Sequence, residues 1–142
     1  MEKIDIQELD KKKRYLKRYK KNKALIERLT IKLEDINDRL YKVKSPNYSG
    51  MPRGGTPIDT ADILSDKKDL EDRIARLKIK GRTFKSEILD KIDELDDTRY
   101  AEILESFFID CKEFEDIAEE QGYTVRHVIR IYSEAINSMS LE

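Results

Sequence analysis

The sequence predicts an all-α protein: a long antiparallel helical hairpin of coiled-coil type, followed by a compact bundle of short helices. Three observations carry this expectation. First, 42% of the residues are charged and only 38% apolar, the balance of helices that each bury one narrow stripe. Second, all three prolines (Pro46, Pro52, Pro57) and three of the five glycines (Gly50, Gly54, Gly55) crowd into one stretch, which leaves the rest free to be helix. Third, apolar residues recur at alternating spacings of three and four, the heptad signature.

In the first predicted helix, apolar positions run from Tyr15 through Tyr19, Ile26, Leu29, Leu33, Ile36, Leu40 and Val43. Ile26, Leu33 and Leu40 take heptad position a, and Leu29, Ile36 and Val43 take d. Asn22 holds the d position one turn earlier, where a polar residue either fixes register or marks the end of the buried seam. The helix stops at Ser45, because a residue before proline is pushed out of the α region and the Pro/Gly stretch forbids regular structure. The connection 45–57 is longer than a helical hairpin needs, and such loops are often functional or mobile.

A second seam follows at Ile63, Leu70, Ile74, Leu77, Phe84, Ile88 and Leu95, with Asp59 or Thr60 able to cap its start. Two stripes of similar length bury one another most economically as an antiparallel hairpin. Gly81 occupies a seam position. It either weakens the helix there, at about 1 kcal/mol relative to alanine, or lets another helix approach closely.

The last third has a shorter rhythm, with helices expected at 86–95, 98–108, 113–121 and 125–139, the Asp96/Asp97 pair opening the second of them. Short helices joined by tight turns make a compact bundle. A boundary near 81–85 gives two domains: a basic helical hairpin over 1–82 and a helix-turn-helix domain over 83–142.

The net charge of −1 conceals a strong asymmetry. Residues 1–85 hold 24 Lys and Arg against 14 Asp and Glu, and residues 86–142 hold 5 against 16. Segments of net +10 and −11 have different partners or meet one another. No apolar run approaches the roughly 18 to 20 residues that span a bilayer, and none follows the basic N-terminus to make a signal peptide. A cytoplasmic location with no membrane partner is therefore expected. Cys111 is the single cysteine, so there is no internal disulfide and no cysteine-based metal site; beside Phe107, Phe108 and Ile109 it reads as a small packing residue.

The stretch "CKEFEDIAEEQGYTVRHVIRIYSEAI" has the spacing of a helix-turn-helix. Ala118 is small enough for a close helix crossing, and Gly122 can adopt the positive φ of a sharp turn. Thr124 is placed to cap a second helix whose inner face is Val128, Ile131, Tyr132 and Ala135. Its outer face carries Val125, Arg126, Ile129 and Arg130, with His127 beside them. The start of such a helix is the part that meets base edges in the major groove, so Thr124, Arg126, His127 and Arg130 are the candidate DNA-binding residues.

The tract 88–136 resembles region 4 of sigma-70-type factors and, more closely, phage-encoded late-gene transcription regulators of the ArpU and RinA type from Gram-positive bacteria. The matching features are "LDDTRYAEIL" before an aromatic helix end, "FEDIAEEQGYT" as positioning helix and turn, and "VRHVIRIYSEAI" as recognition helix. A charged N-terminal helix followed by "SGMPRGG" is also similar. The resemblance implies a sequence-specific, double-stranded-DNA-binding regulator of phage or prophage late genes, with recognition positions Arg126, His127 and Arg130, and Thr124 as cap and phosphate contact. Sigma region 4 usually carries more basic residues on its recognition helix than this sequence does.

Phosphate neutralisation supplies much of the affinity of a DNA reader, so the acidic C-terminal segment needs positive help. The tract "KKKRYLKRYKKNK" offers it: Lys11, Lys12, Lys13, Arg14, Lys17 and Arg18 are candidate phosphate contacts. The same tract could equally be a solvated helix end or an intramolecular partner of the acidic bundle. A homodimer would double each contact. The alternative function is a protein-binding adaptor, its acidic bundle or coiled coil docking on RNA polymerase or another regulator. With one histidine, one cysteine, no phosphate-cradling loop and scattered carboxylates, no enzyme, cofactor or metal site is expected.

Overall fold

The computed structural model describes residues 6–44 and 60–141. The connection at 45–57 and the cap at Asp59 lie outside the described residues, as does the side chain of Val43. The fold is all-α. Six helices occur among the described residues: α1 Ile6–Leu16, α2 Arg18–Lys44, α3 Thr60–Asp93, α4 Thr98–Phe108, α5 Phe114–Gln121 and α6 Val125–Ser138. None is long and apolar enough to cross a membrane.

The alternating three-and-four spacing marks burial as expected. Leu29, Ile36, Leu40, Ile63, Ile74 and Ile88 are buried, while Ile26, Leu33, Leu70, Leu77 and Phe84 are half-buried. One expected break is absent, since 86–93 is the last part of α3 rather than a separate helix. Gly81 is buried inside that helix, and a Cβ added to it would fall 2.5 Å from Asn22 Nδ2. Of the two roles open to Gly81, the structure uses close approach: the missing side chain makes room for the Asn22 amide. Asn22 is itself only 7% exposed, and no buried side-chain polar atom among the described residues lacks a hydrogen-bond partner.

The described residues form two compact units, one from the chain up to Lys23 together with Lys80 onward, the other from Ala24–Ile79. These do not coincide with the halves 1–82 and 83–142 expected from the sequence. The reason is Leu16, which is 0% exposed and packs in one apolar cluster with Ile88, Ile92, Ile103, Leu104, Phe108 and the inner face of α6. Leu9, Tyr15 and Tyr19 pack against the same cluster. The N-terminal helix thus belongs to the core of the C-terminal bundle. In the Ala24–Ile79 unit, Ile36, Leu40 and Ile63 form a smaller cluster with Leu70 against it.

Local caps set the helix ends in the bundle. Asp97 precedes α4 and accepts a 2.9 Å hydrogen bond from the Arg99 backbone N–H; its side-chain bonds to Arg99 hold its carboxyl below the usual range. At the other end of α4, Lys112 N–H donates to Ser106 O at 3.0 Å and Cys111 is left-handed, φ 58. After α5, Gly122 is left-handed at φ 72, and the N–H groups of Gly122 and Tyr123 both donate to Ala118 O. These bonds satisfy carbonyls that a helix end would otherwise leave without partners.

Candidate nucleic-acid interface

Helix α6 starts where Thr124 takes an extended conformation and its hydroxyl oxygen accepts a 3.1 Å bond from the His127 N–H. This is the N-cap geometry expected of threonine. Val128, Ile131, Tyr132, Ala135 and Ile136 face inward and are buried. An aromatic group fixes the helix: Tyr132 packs edge-on against Phe107 and Phe114, with ring centroids 5.1 Å apart in each case, and stacks on Phe108 at 5.8 Å. Burial pushes the Tyr132 phenol up to about 12, because a buried phenolate would lose its hydration.

The opposite face begins with Val125, Arg126, Ile129 and Arg130, all exposed. Arg126 has no ion-pair partner among the described residues. Arg130 is drawn back along its own helix, its Nε donating to Glu134 Oε1 at 3.2 Å. The second oxygen of Glu134 accepts a 3.1 Å bond from the Tyr100 hydroxyl of α4. That bond, with desolvation and the charge of Glu134, raises the Tyr100 pKa. His127 is half-buried and meets Tyr123 edge-on at 4.9 Å. The four candidate residues Thr124, Arg126, His127 and Arg130 thus share the first two turns of one helix.

The six candidate phosphate contacts divide. Lys12 Nζ lies 4.0 Å from Glu8 and donates at 3.4 Å to Asn137 O near the C-terminal end of α6, where a cation complements the helix dipole. Lys13 Nζ lies 5.9 Å from the centre of the Tyr132 ring. Arg18 is committed further: its guanidinium lies against Tyr15 at 3.9 Å and Phe84 at 4.7 Å, pairs with Glu87 at 2.8 Å, and donates to Tyr15 O at 3.0 Å. Lys11, Arg14 and Lys17 make no ion pair among the described residues. Arg14 and Lys17 line a shallow cleft with Asp10, Lys13 and Lys21.

Sequence reasoning missed three participants. Lys20, whose Nζ sits 3.7 Å from the centre of the Phe107 ring, carried no signal apart from its charge. Leu16 could have been found, since Leu9 and Leu16 are one heptad apart. The Tyr100 to Glu134 bond joins residues 34 apart in sequence, and no local pattern announces it.

The fold also alters the charge reckoning. The tract 1–23 holds ten basic and four acidic residues, and 80–142 holds eight and sixteen. Together they carry a net charge of −2, against −11 for residues 86–142 alone. Compared with models of known protein families, with curated proteins and with solved structures, the chain matches none of them.

Proposed function

We propose that the chain is a sequence-specific DNA-binding transcriptional regulator, phage- or prophage-encoded and acting on late genes. In this reading α5, the Gly122 turn and α6 are a helix-turn-helix like that of sigma region 4, and α2 with α3 forms an antiparallel hairpin. The observation that carries it is the start of α6. A Thr124-capped turn follows a left-handed Gly122 and presents Arg126 to solvent without an acidic partner. An unpaired arginine at that position has the planar fork that grips guanine or phosphate. The near-balance of charge in the bundle unit supports the same reading, because the −11 segment does not face DNA by itself. The resemblance to ArpU- and RinA-type regulators, carried in part by the same turn and helix, points the same way.

Binding to DNA flanking the gene, followed by gel shift over a range of salt concentrations, tests the proposal. Arg126→Ala with Arg130→Ala is expected to weaken specific binding by about 1 to 3 kcal/mol for each arginine that grips a base edge. Unchanged affinity in that double variant removes α6 from the interface. Arg126 contributes the larger share, since Arg130 must first leave Glu134.

A second reading, an adaptor that docks on RNA polymerase or another basic partner, draws on α5. Glu115, Asp116, Glu119 and Glu120 are exposed there, and among the described residues only Glu120 has an ion-pair partner, Lys112 at 2.8 Å. Stable capture of polymerase with no DNA affinity at low salt favours this reading. The two are compatible, because a helix-turn-helix uses opposite surfaces for DNA and for a protein partner.

A further inference from the structure

Val125 and Ile129 are large aliphatic side chains held out in water, 36% and 43% exposed, on the helix whose other face is buried in the bundle core. They are not overflow from the core, since Val128, Ile131, Tyr132, Ala135 and Ile136 already complete the inward face. Among the described residues of this unit, Ile6 is the only other exposed large aliphatic side chain. Four positions apart, the two stand one above the other on α6. At 100° per residue, Arg126 and Arg130 form a second column about 100° round the helix from the first. The start of α6 therefore carries an apolar column beside a basic one.

Resting on the DNA-binding reading, we infer that Val125 and Ile129 are specificity residues that read thymine methyl groups next to the base pair gripped by Arg126. The major groove offers donors and acceptors on every base pair, and the thymine C5-methyl is its apolar feature. Phosphates and the polar edges of the other bases give a β-branched side chain nothing to bury against. Thymine gives each one a matching methyl. The two side chains lie about 6 Å apart along the axis, so the methyls belong to base pairs within roughly two steps of each other. Arg126, with no acidic partner, takes guanine O6 and N7 alongside.

The full-length chain is used to select its preferred duplex from a random-sequence DNA pool. Thymines in that duplex are then replaced one at a time by deoxyuridine, which removes the methyl and leaves every hydrogen-bonding group in place. Binding is expected to weaken roughly fourfold for each methyl that is read, the burial free energy of one methyl-sized group. Val125→Ala with Ile129→Ala is expected to bind the thymine and deoxyuridine duplexes alike. Both positions are exposed, so unchanged helical circular dichroism and melting in that variant rule out misfolding as the cause. If the wild-type chain selects a sequence through Arg126 yet binds both duplexes equally, this inference is overturned while the DNA-binding function stands. If no duplex is retained even at low salt, both fall together.

Discussion

The two compact units are both made of highly charged helices, yet they bury side chains to different depths. Phe108, Leu16, Ile88, Ile92, Ile103, Leu104, Ile117, Ile136 and Val128, the largest fully buried side chains, all lie in the bundle unit. In the Ala24–Ile79 unit, the buried stripe residues Leu29, Ile36, Leu40, Ile63 and Ile74 each keep a few per cent of exposure. In the bundle α6 packs against α1, α4 and α5, and a side chain between several helices is covered from all sides. A helix that faces one partner covers only a stripe. Charge follows the same division: Ala24–Ile79 holds eleven basic and ten acidic residues spread along its length, whereas the bundle unit brings a basic tract onto an acidic one. Depth of burial, not helix length, is what distinguishes the two units.

The largest test of this difference compares Leu16→Ala with Leu40→Ala. Leu16 is 0% exposed within the bundle cluster, so its truncation is expected to cost about 3 kcal/mol in urea denaturation. Leu40 lies in the smaller cluster beside Ile36 and Ile63, where the site can collapse around a missing side chain, and about 2 kcal/mol is expected. A Leu16→Ala cost below that of Leu40→Ala breaks the assignment of α1 to the bundle core.

A second test uses the phenol at the centre of the bundle. The Tyr132 pKa is raised to about 12, above the value of about 10 in an unfolded chain. Well below pH 10 the group is neutral in both states and no stability is lost. As pH rises from 10 towards 12 the unfolded chain ionises first, so stability falls by at most about 2 kcal/mol. Tyr132→Phe is expected to flatten that part of the pH profile, measured as urea midpoints against the wild type. An identical alkaline loss in both proteins would assign it to other groups.

Next in size is Gly81→Ala. Alanine gains about 1 kcal/mol of helix propensity, but its Cβ would lie 2.5 Å from Asn22 Nδ2, and Asn22 is too buried to swing aside freely. A net cost of roughly 1 to 2 kcal/mol is expected, since overpacking against the amide outweighs propensity. With Asn22→Ala already in place the amide no longer obstructs the Cβ, and Gly81→Ala should then stabilise. A cost that persists in the Asn22→Ala background would show that Gly81 answers to something other than the amide.

What the sequence made legible was local. Asp97, Thr124 and Gly122 announce the ends of α4, α5 and α6 because a cap or a left-handed turn needs only its own few residues. The heptad spacing likewise identified the buried stripe, and the 3.6-residue period identified which α6 side chains point outward. The place of α1 was not legible in the same way, because Leu16 is buried by residues more than 70 positions away. The basic tract left its two roles open for a related reason: counting charge cannot reveal that Arg18 is stacked on Tyr15 and Phe84 and paired with Glu87. At the candidate site, the i,i+4 spacing of Arg130 and Glu134 sets Arg130 apart from Arg126 already in the sequence, whereas the Tyr100 bond that holds the second Glu134 oxygen is visible only in the fold.

The smallest effects come from the backbone of the bundle's turns. Among the described residues, both left-handed positions, Cys111 and Gly122, lie in the bundle unit, whose short helices need sharp reversals that α2 and α3 do not. At Gly122 nothing lies within 4 Å of an added Cβ, so Gly122→Ala meets no neighbour and pays only for the left-handed conformation, about 1 kcal/mol. Cys111 already bears that cost with an L side chain. Cys111→Gly should relieve it but surrender both the half-buried thiol, whose Sγ lies 3.7 Å from Ile109 O, and part of the chain's stiffness when unfolded. A net gain of about 0.5 kcal/mol is expected, a rise of roughly 2 °C in the melting midpoint. Cys111→Ala keeps the Cβ and should gain nothing. A gain from alanine equal to that from glycine would show that the thiol, not the backbone, is what costs stability at the end of α4.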